Sequence, residues 1–219
     1  MIKIVLHCLP TELDQVIWVV DQLKRSSRFI NPKNFILDFT LNVSDEDIDW
    51  DKSLLNKEYC VEKFNLIFDK SPFINKHKIC YNQTGCNTVR RNAIREQDNT
   101  THIIYLDTDM IFPDTILYYI EQAIEEIDSK YYIITPQIFQ LWDNSWDVIS
   151  HPDYRNQDRK NKQWLKNPYQ VFEHIPTDIK LFKSPYVKFG GGWFNIFSKN
   201  LLELIDIPDS LGHYGLDDT

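Results

Sequence analysis

The chain has 219 residues, 42% of them apolar and 26% charged, with a formal net charge of -8 and a pI near 5.2. That length allows one large domain or a domain plus an appendage, with a proper core, and the composition is that of a globular rather than a disordered chain. The acidity argues against non-specific binding to nucleic acid or an anionic membrane, and no apolar run approaches the roughly 20 residues of a bilayer span.

Ile2 to Leu9 reads as a first strand, ended by Pro10. It carries one lysine and does not have the charged region plus longer apolar core of a secretory signal. Cys8, Cys60, Cys80 and Cys86 form no Cys-x-x-Cys pair and no zinc-like spacing, so the expectation is reduced thiols in a cytoplasmic protein. Thr11 is placed to cap a helix whose apolar positions are Leu13, Val16, Ile17, Val20 and Leu23. Asn31-Pro32 breaks that helix, and Asn34 to Val43 reads as a second strand, which opens a βαβ unit with a parallel pair. Asp45 to Lys70 is charged and irregular. Its acids Asp45, Glu46, Asp47, Asp49 and Asp51 read as a solvated loop with helical stretches in preference to a metal cluster. Lys78 to Tyr81 is a short third strand, and Gly85 leads into a basic helix, Cys86 to Arg95.

His102 to Leu106 is an apolar run of the length of a buried strand. Asp107 and Asp109 follow it, and a helical pattern then runs through Ile116, Leu117, Ile120, Ala123, Ile124 and Ile127. Two carboxylates thus stand just beyond the C-terminal end of a strand, where open α/β sheets bind ligands. Residues i and i+2 of an extended chain point the same way. The pair is therefore either a divalent-cation site of hard oxygen ligands or two solvated turn aspartates. Tyr131 to Pro136 reads as a fifth strand. Phe139 to Pro185 is aromatic-rich and without regular periodicity, as in binding loops or a subdomain with its own small core. Gly190-Gly191-Gly192-Trp193 then precedes an apolar run; three glycines there fit close approach of a ligand or a tight bend. A helix over Asn200 to Ile205 precedes a terminal Gly-Leu-Asp217-Asp218.

The stretch Ile103-Ile-Tyr-Leu-Asp107-Thr108-Asp109-Met-Ile-Phe-Pro-Asp114 resembles the Asp-x-Asp segment of the GT-A glycosyltransferases of the family 2 type. Further matches run in that family's order from Ile2 to Asp218: Arg91-Asn92 after Gly85, the glycine-rich stretch to Phe194, and Asp217-Asp218. The resemblance implies an α/β GT-A fold, a mainly parallel sheet flanked by helices, in one domain. Residues 1–138 would form the nucleotide-sugar-binding half and 139–219 the acceptor-side half. It implies Mn2+ or Mg2+ held by Asp107 and Asp109 against the donor diphosphate, and a donor site drawn from Pro10, Thr11, Arg91, Asp107, Thr108, Gly191, Gly192 and Trp193. Asn42 would contact the base, with Asp38 and Asp45 as the other candidates near the end of the second strand. Asp218, or its neighbour Asp217, would be the general base of inverting transfer to a glycan or other hydroxyl acceptor. Many members have Glu-Asp where this chain has Asp217-Asp218, and many continue past that point, often with a helix and sometimes with a further metal-ligating histidine; His213 is a conceivable substitute ligand here.

Three rival readings remain. A haloacid-dehalogenase-like phosphatase would carry its Asp-x-Asp on the first strand and Thr or Val in place of Ile111. A nucleotidyltransferase would carry a glycine-rich triphosphate loop after the first strand. An inactive, carbohydrate-binding relative would use the aromatics alone.

Overall fold

A computed structural model describes residues 1–53, 55–68, 71–136 and 194–213. Chain contacts divide the protein into two compact units, Met1–Pro136 with Lys183–Thr219, and Gln137–Phe182. All described residues belong to the first, which holds a six-stranded sheet.

The strands are β1 (Ile2–Cys8), β2 (Phe35–Asn42), β3 (Ile74–Cys80), β4 (His102–Leu106), β5 (Ile133–Ile134) and β6 (Phe194–Ser198). Their order across the sheet is β3-β2-β1-β4-β6-β5. The first four are parallel, and β6 runs antiparallel between β4 and β5. The fold is thus the mainly parallel α/β sheet that the sequence implies. All eight residues of β2 are buried and β1 is nearly so, which is why both read as near-continuous apolar runs.

The helices are α1 (Leu13–Ser26), α2 (Trp50–Ser53), α3 (Lys57–Phe68), α4 (Cys86–Arg95), α5 (Ile116–Glu126) and α6 (Lys199–Ile205). Two apolar cores, one on each side of the sheet, follow from strand alternation. Ile4, Leu6, Phe35, Leu37, Phe39 and Ile104 meet α1, α3 and α5; Val5, Ile103 and Tyr105 meet α4 and α6. In α1 the buried stripe is Leu13, Val16, Val19, Val20 and Leu23, while Ile17, expected in it, faces solvent. In α3, Cys60, Phe64, Ile67 and Phe68 reach the core at helical spacing, so the charged Asp45–Lys70 stretch conceals a regular amphipathic helix.

β3 starts at Ile74, four residues before the expected strand. It is an edge strand with an exposed, lysine-bearing pattern, so its sequence lacks the apolar run that marks a buried strand. The strand expected over Tyr131–Pro136 shortens to Ile133–Ile134 at the opposite edge.

One ionic cluster fastens the segment after α4 to the sheet. Lys3 is fully buried, and its ammonium lies 2.7 Å from both Glu96 and Asp98. Lys76 and Lys199 join the same carboxylates, at 2.6 Å to Glu96 and 3.6 Å to Asp98 respectively.

Candidate active site

The chain reverses its direction of travel across the sheet between β1 and β4: β2 and β3 lie on one side of β1, and β4 on the other. The crevice outside the C-terminal ends of those two strands is the topological switch point. Two short segments flank it. Pro10–Glu12 forms a 3-10 turn directly after β1, and Asp107–Asp109 follows β4.

Glu12 joins them. Its carboxylate accepts the Leu9 N–H at 2.7 Å and also takes a hydrogen bond from Thr108. Burial raises the Glu12 carboxyl above its ordinary value; the Leu9 bond opposes this and the negative charge of Asp109 adds to it. Asp109 is raised as well, because the protein around it displaces water from its carboxyl, although the residue keeps access to solvent. Thr108 is buried. Pro10 is buried, and Thr11 lies exposed on the rim.

Gln22 of α1 supports the segment from behind. Its Oε1 accepts the Phe112 N–H at 2.7 Å, and its Nε2 donates to the carbonyls of Met110 and Trp18 at 3.3 and 3.1 Å. Ser26, one turn on, accepts the Leu117 N–H at 3.1 Å. The turn carrying Asp109 into α5 is thereby fixed by buried polar groups of the first helix.

On the other side stands α4. Arg90 places Nη2 3.2 Å from the Asp107 carboxylate, and its guanidinium carbon lies 5.1 Å from the centre of the Tyr105 ring. Arg91, the arginine that the sequence motif matches, turns elsewhere. Its Nε donates to the Ile207 carbonyl at 2.8 Å, and its Nη2 to the carbonyls of Pro208 and Gly212 at 2.9 and 3.1 Å. The guanidinium at the Asp-x-Asp carboxylate is therefore that of Arg90. A step of one residue turns a helix by about 100°, so the two neighbours serve different parts of the molecule.

Asn42 ends β2 at the same rim. Its amide donates to Asp47 at 2.6 Å and to the Thr84 carbonyl at 2.8 Å, and its Oδ1 accepts the Ser44 N–H at 2.9 Å. His7 Nε2 meets the same Thr84 carbonyl at 3.0 Å. Burial lowers the His7 pKa first; the Thr84 bond opposes that, Arg90 repels a second charge, and Asp47 offsets it. Of the other two candidates near the end of β2, Asp38 is buried mid-strand opposite Val5 and Lys76, and Asp45 is exposed and paired with Lys57 at 2.8 Å. Asn42 is thus the one at the rim.

Gly191, Gly192, Trp193, Asp217 and Asp218 lie outside the described residues. Phe194, next after the glycine-tryptophan stretch, pairs with Leu106, the residue before Asp107. His213 lies at the start of α4, its Nδ1 2.8 Å from the Thr88 hydroxyl and its carbonyl accepting the Asn87 N–H at 3.1 Å.

Among the described residues no group of three or more His, Cys, Asp or Glu side chains could hold a metal ion. The donor set that is present, Asp107 and Asp109, consists of hard oxygen ligands. It suits a cation such as Mg2+ or Mn2+, which commonly binds one or two carboxylates and completes its shell from substrate phosphate and water.

No protein-family model matches the chain, and no curated protein matches its sequence. Solved structures do. Residues 1–349 of Staphylococcus aureus TarS in complex with UDP match 99% of this chain at a TM-score of 0.56 and 14% identity, with 52% of TarS 1–349 covered. The same TarS region without ligand matches at a TM-score of 0.54 and 13% identity, again over 99% of this chain and 52% of that one. The mannosyltransferase PcManGT of Pyrobaculum calidifontis, in complex with GDP-Man and Mn2+, matches 99% of this chain and 48% of its own at a TM-score of 0.48 and 10% identity. The chain spans about half the length of these TarS structures. The fold is GT-A-like, that of the nucleotide-sugar transferases. No helix among the described residues is long and apolar enough to cross a membrane.

Proposed function

We propose that the chain is a metal-dependent glycosyltransferase that moves a sugar from a UDP- or GDP-linked donor to a glycan or other hydroxyl acceptor with inversion. The observation that carries this reading is the convergence of Asp107, Asp109 and Arg90 beside the Pro10–Glu12 turn at the switch point of a GT-A-like sheet. The TarS structure in complex with UDP gives the fold a nucleotide-binding precedent.

In this reading Asp107 and Asp109 hold Mn2+ or Mg2+. A divalent cation bound there supplies positive charge to the departing nucleoside diphosphate. Arg90, poised on Asp107, adds a guanidinium whose paired N–H groups suit a phosphate. Arg91, which the motif resemblance assigns to the phosphates, has donors engaged with three carbonyls, and Arg90 is the arginine that lies at Asp107. Pro10, Thr11 and Asn42 border the place of the base and ribose, and Gly191, Gly192 and Trp193 adjoin Phe194 in sequence where β6 meets β4. Asp218, or Asp217, takes the proton of the acceptor hydroxyl. That hydroxyl is a poor nucleophile until a base within hydrogen-bond reach removes the proton, a contribution of about 10²–10⁴-fold.

The test is a thermal-shift panel of UDP, GDP, ADP and CDP, each with Mn2+ and with EDTA. UDP or GDP at about 100 times its dissociation constant should add roughly 2.7 kcal/mol of stability, only with Mn2+ present, and Asp109→Ala should abolish the shift. A folded protein that responds to none of the four, or whose shift survives both EDTA and Asp109→Ala, would refute the metal-dependent donor site.

A further inference from the structure

Alternation along β2 sends Phe35, Leu37, Phe39 and Leu41 into the core under α1 and α3, and sets Asp38 and Thr40 on the side that α4 covers. On that side the neighbouring strands place Val5, Ile103 and Tyr105 in an apolar core, and Asp38 sits directly across from Val5. Packing alone therefore calls for apolar residues here. Asp38 and Thr40 are nevertheless 5% and 3% exposed. Among the described residues neither side chain makes a hydrogen bond or an ion pair closer than 4 Å. Buried polar groups are ordinarily partnered, because leaving them bare costs stability.

Both side chains open into a cavity of about 200 Å3 between β2, β3 and α4. That is room for about six waters at their share of liquid volume, more than one bridging water needs. Val89 of α4 forms an apolar part of its wall, and Asn92 and Lys78 are exposed at its mouth. Glu96 bounds it too, but its carboxylate is already engaged by Lys3 at 2.7 Å and Lys76 at 2.6 Å. Lys78, by contrast, makes no ion pair among the described residues. Burial raises the Asp38 carboxyl above its ordinary value, and Lys78 is the cation that opposes this most. The cavity thus holds an uncompensated carboxylate within and an uncompensated ammonium at its mouth. It is separate from the donor crevice, since Asp107 and Asp109 follow β4 and β1 lies between β4 and β2.

We propose that this cavity is a binding site for a small zwitterion of the amino-acid type. The ligand's ammonium meets Asp38 and the Thr40 hydroxyl, and its carboxylate meets Lys78 and the Asn92 amide. The charges select this class. A simple cation would meet Lys78, a simple anion would meet Asp38 and Glu96, and a neutral polyol would leave both unpaired charges without a counter-charge. A zwitterion answers both, through charge-assisted hydrogen bonds at each end. The site is independent of the proposed function and stands or falls apart from it.

The test is a titration of the full chain, in EDTA and without nucleotide, followed by amide chemical shifts. The probes are serine, ethanolamine, lactate and glucose. Ethanolamine lacks the carboxylate of serine, lactate lacks its ammonium, and glucose lacks both. Serine should shift the amides of residues 38–40 and 88–96 saturably, and the other three should bind at least about tenfold more weakly. Asp38→Asn, which keeps the shape and removes the charge, should weaken serine about tenfold or more without lowering the melting temperature. Lys78→Met, at an exposed position, should weaken serine several-fold. UDP with Mn2+ should leave serine binding unchanged. No saturable shift with serine overturns the proposal. Ethanolamine, lactate or glucose binding as well as serine overturns it too, by showing a cation, anion or polyol site instead. Displacement of serine by UDP with Mn2+ would place the ligand in the donor crevice and overturn it. A lower melting temperature in Asp38→Asn would show a carboxylate already paired within the protein, with the same consequence. Should Asp38→Asn not fold, Lys78→Met decides, and unchanged serine affinity in it overturns the proposal.

Discussion

Replacing Asp98 by alanine should destabilise the protein far more than replacing the lysine it serves. The Lys3 ammonium has no solvent exposure and depends on two carboxylates, each at 2.7 Å. Asp98 also accepts the Thr100 N–H at 3.0 Å. Asp98→Ala leaves a buried ammonium with half its anionic partners and strands a backbone donor. A hydrogen bond to a charged group contributes about 1.5–3 kcal/mol, and breaking a buried pair costs about 3–5 kcal/mol. With Glu96 still in place, the expected loss is about 3 kcal/mol, near the lower end of that range. Lys3→Met acts in the opposite sense. The buried charge goes, an unbranched apolar chain fills the stem's space, and both acids keep Lys76, at 2.6 Å from Glu96 and 3.3 Å from Asp98. Its cost should be about 1 kcal/mol or less, since exchanging buried ions for apolar groups is often neutral. In urea, with a slope of roughly 2–3 kcal/mol per molar, Asp98→Ala should lower the midpoint by about 1–1.5 M. Lys3→Met should lower it by no more than about a third of that. Equal shifts would refute the reasoning that a stranded charge, rather than a lost contact, sets the penalty. The pH dependence gives a second check. Burial alone would raise the Asp98 carboxyl, but the Lys3 ammonium and the Thr100 bonds outweigh it and hold the group far below the usual carboxylate range. A depressed folded value means stabilisation that is complete above about pH 4 and is lost as pH falls through that folded value. Wild-type midpoints should therefore fall steeply below pH 4, and Asp98→Ala should lack that part of the slope.

Gln22→Leu should cost about 2–3 kcal/mol, because the Phe112 N–H and the Met110 carbonyl lose buried partners. It should also weaken Mn2+-dependent nucleotide binding, since Met110 directly follows Asp109; unaltered affinity beside a clear loss in melting temperature would show that α1 supports the fold and not the site. Phe64→Ala opens a gap in the ring cluster with Phe39 and Phe68, at centroid distances of 4.7 and 5.1 Å, and should cost about 3–5 kcal/mol in urea titration. A cost below about 1 kcal/mol would mean that α3 can collapse into the space.

The parts of the fold that were legible in the sequence are those whose burial is one-sided or complete. β1, β2 and β4 read as apolar runs because helices cover both faces, and α1 and α5 because their stripes repeat at helical spacing. β3 was read short because an edge strand bearing Lys76 and Lys78 has little apolar pattern to show. The place of β6, between β4 and β5 and against their run, was not readable at all. Neighbour and direction there depend on where a long intervening stretch returns, which periodicity does not encode. In the site, the Asp107–Asp109 segment and the turn after β1 were legible from a strand ending in paired acids and from a proline stop. Arg90 was not, because the motif matches Arg91 and only the angular step along α4 separates the two. Asp47 was hidden for another reason. Among five acids in seven residues nothing distinguishes the one that accepts the Asn42 amide from those that face water. Gln22 gave no signal, since a lone glutamine in a helix carries no pattern of its own.

The pairing at the end of β5 has a consequence for how such a chain can change. Ile134 pairs with Ile196, and one residue further out the Thr135 hydroxyl donates to Asn195 at 2.9 Å. Among the described residues, the chain thus leaves the sheet after β5 and rejoins it at β6 beside the same point. Closing a circuit costs little more when it is made longer, about 0.6 kcal/mol for each doubling of a flexible loop. The sheet therefore tolerates a change in the length of sequence between Thr135 and Asn195. The sequence between them could be lengthened, shortened or exchanged in evolution, or by a designer, as long as Thr135 and Asn195 still meet.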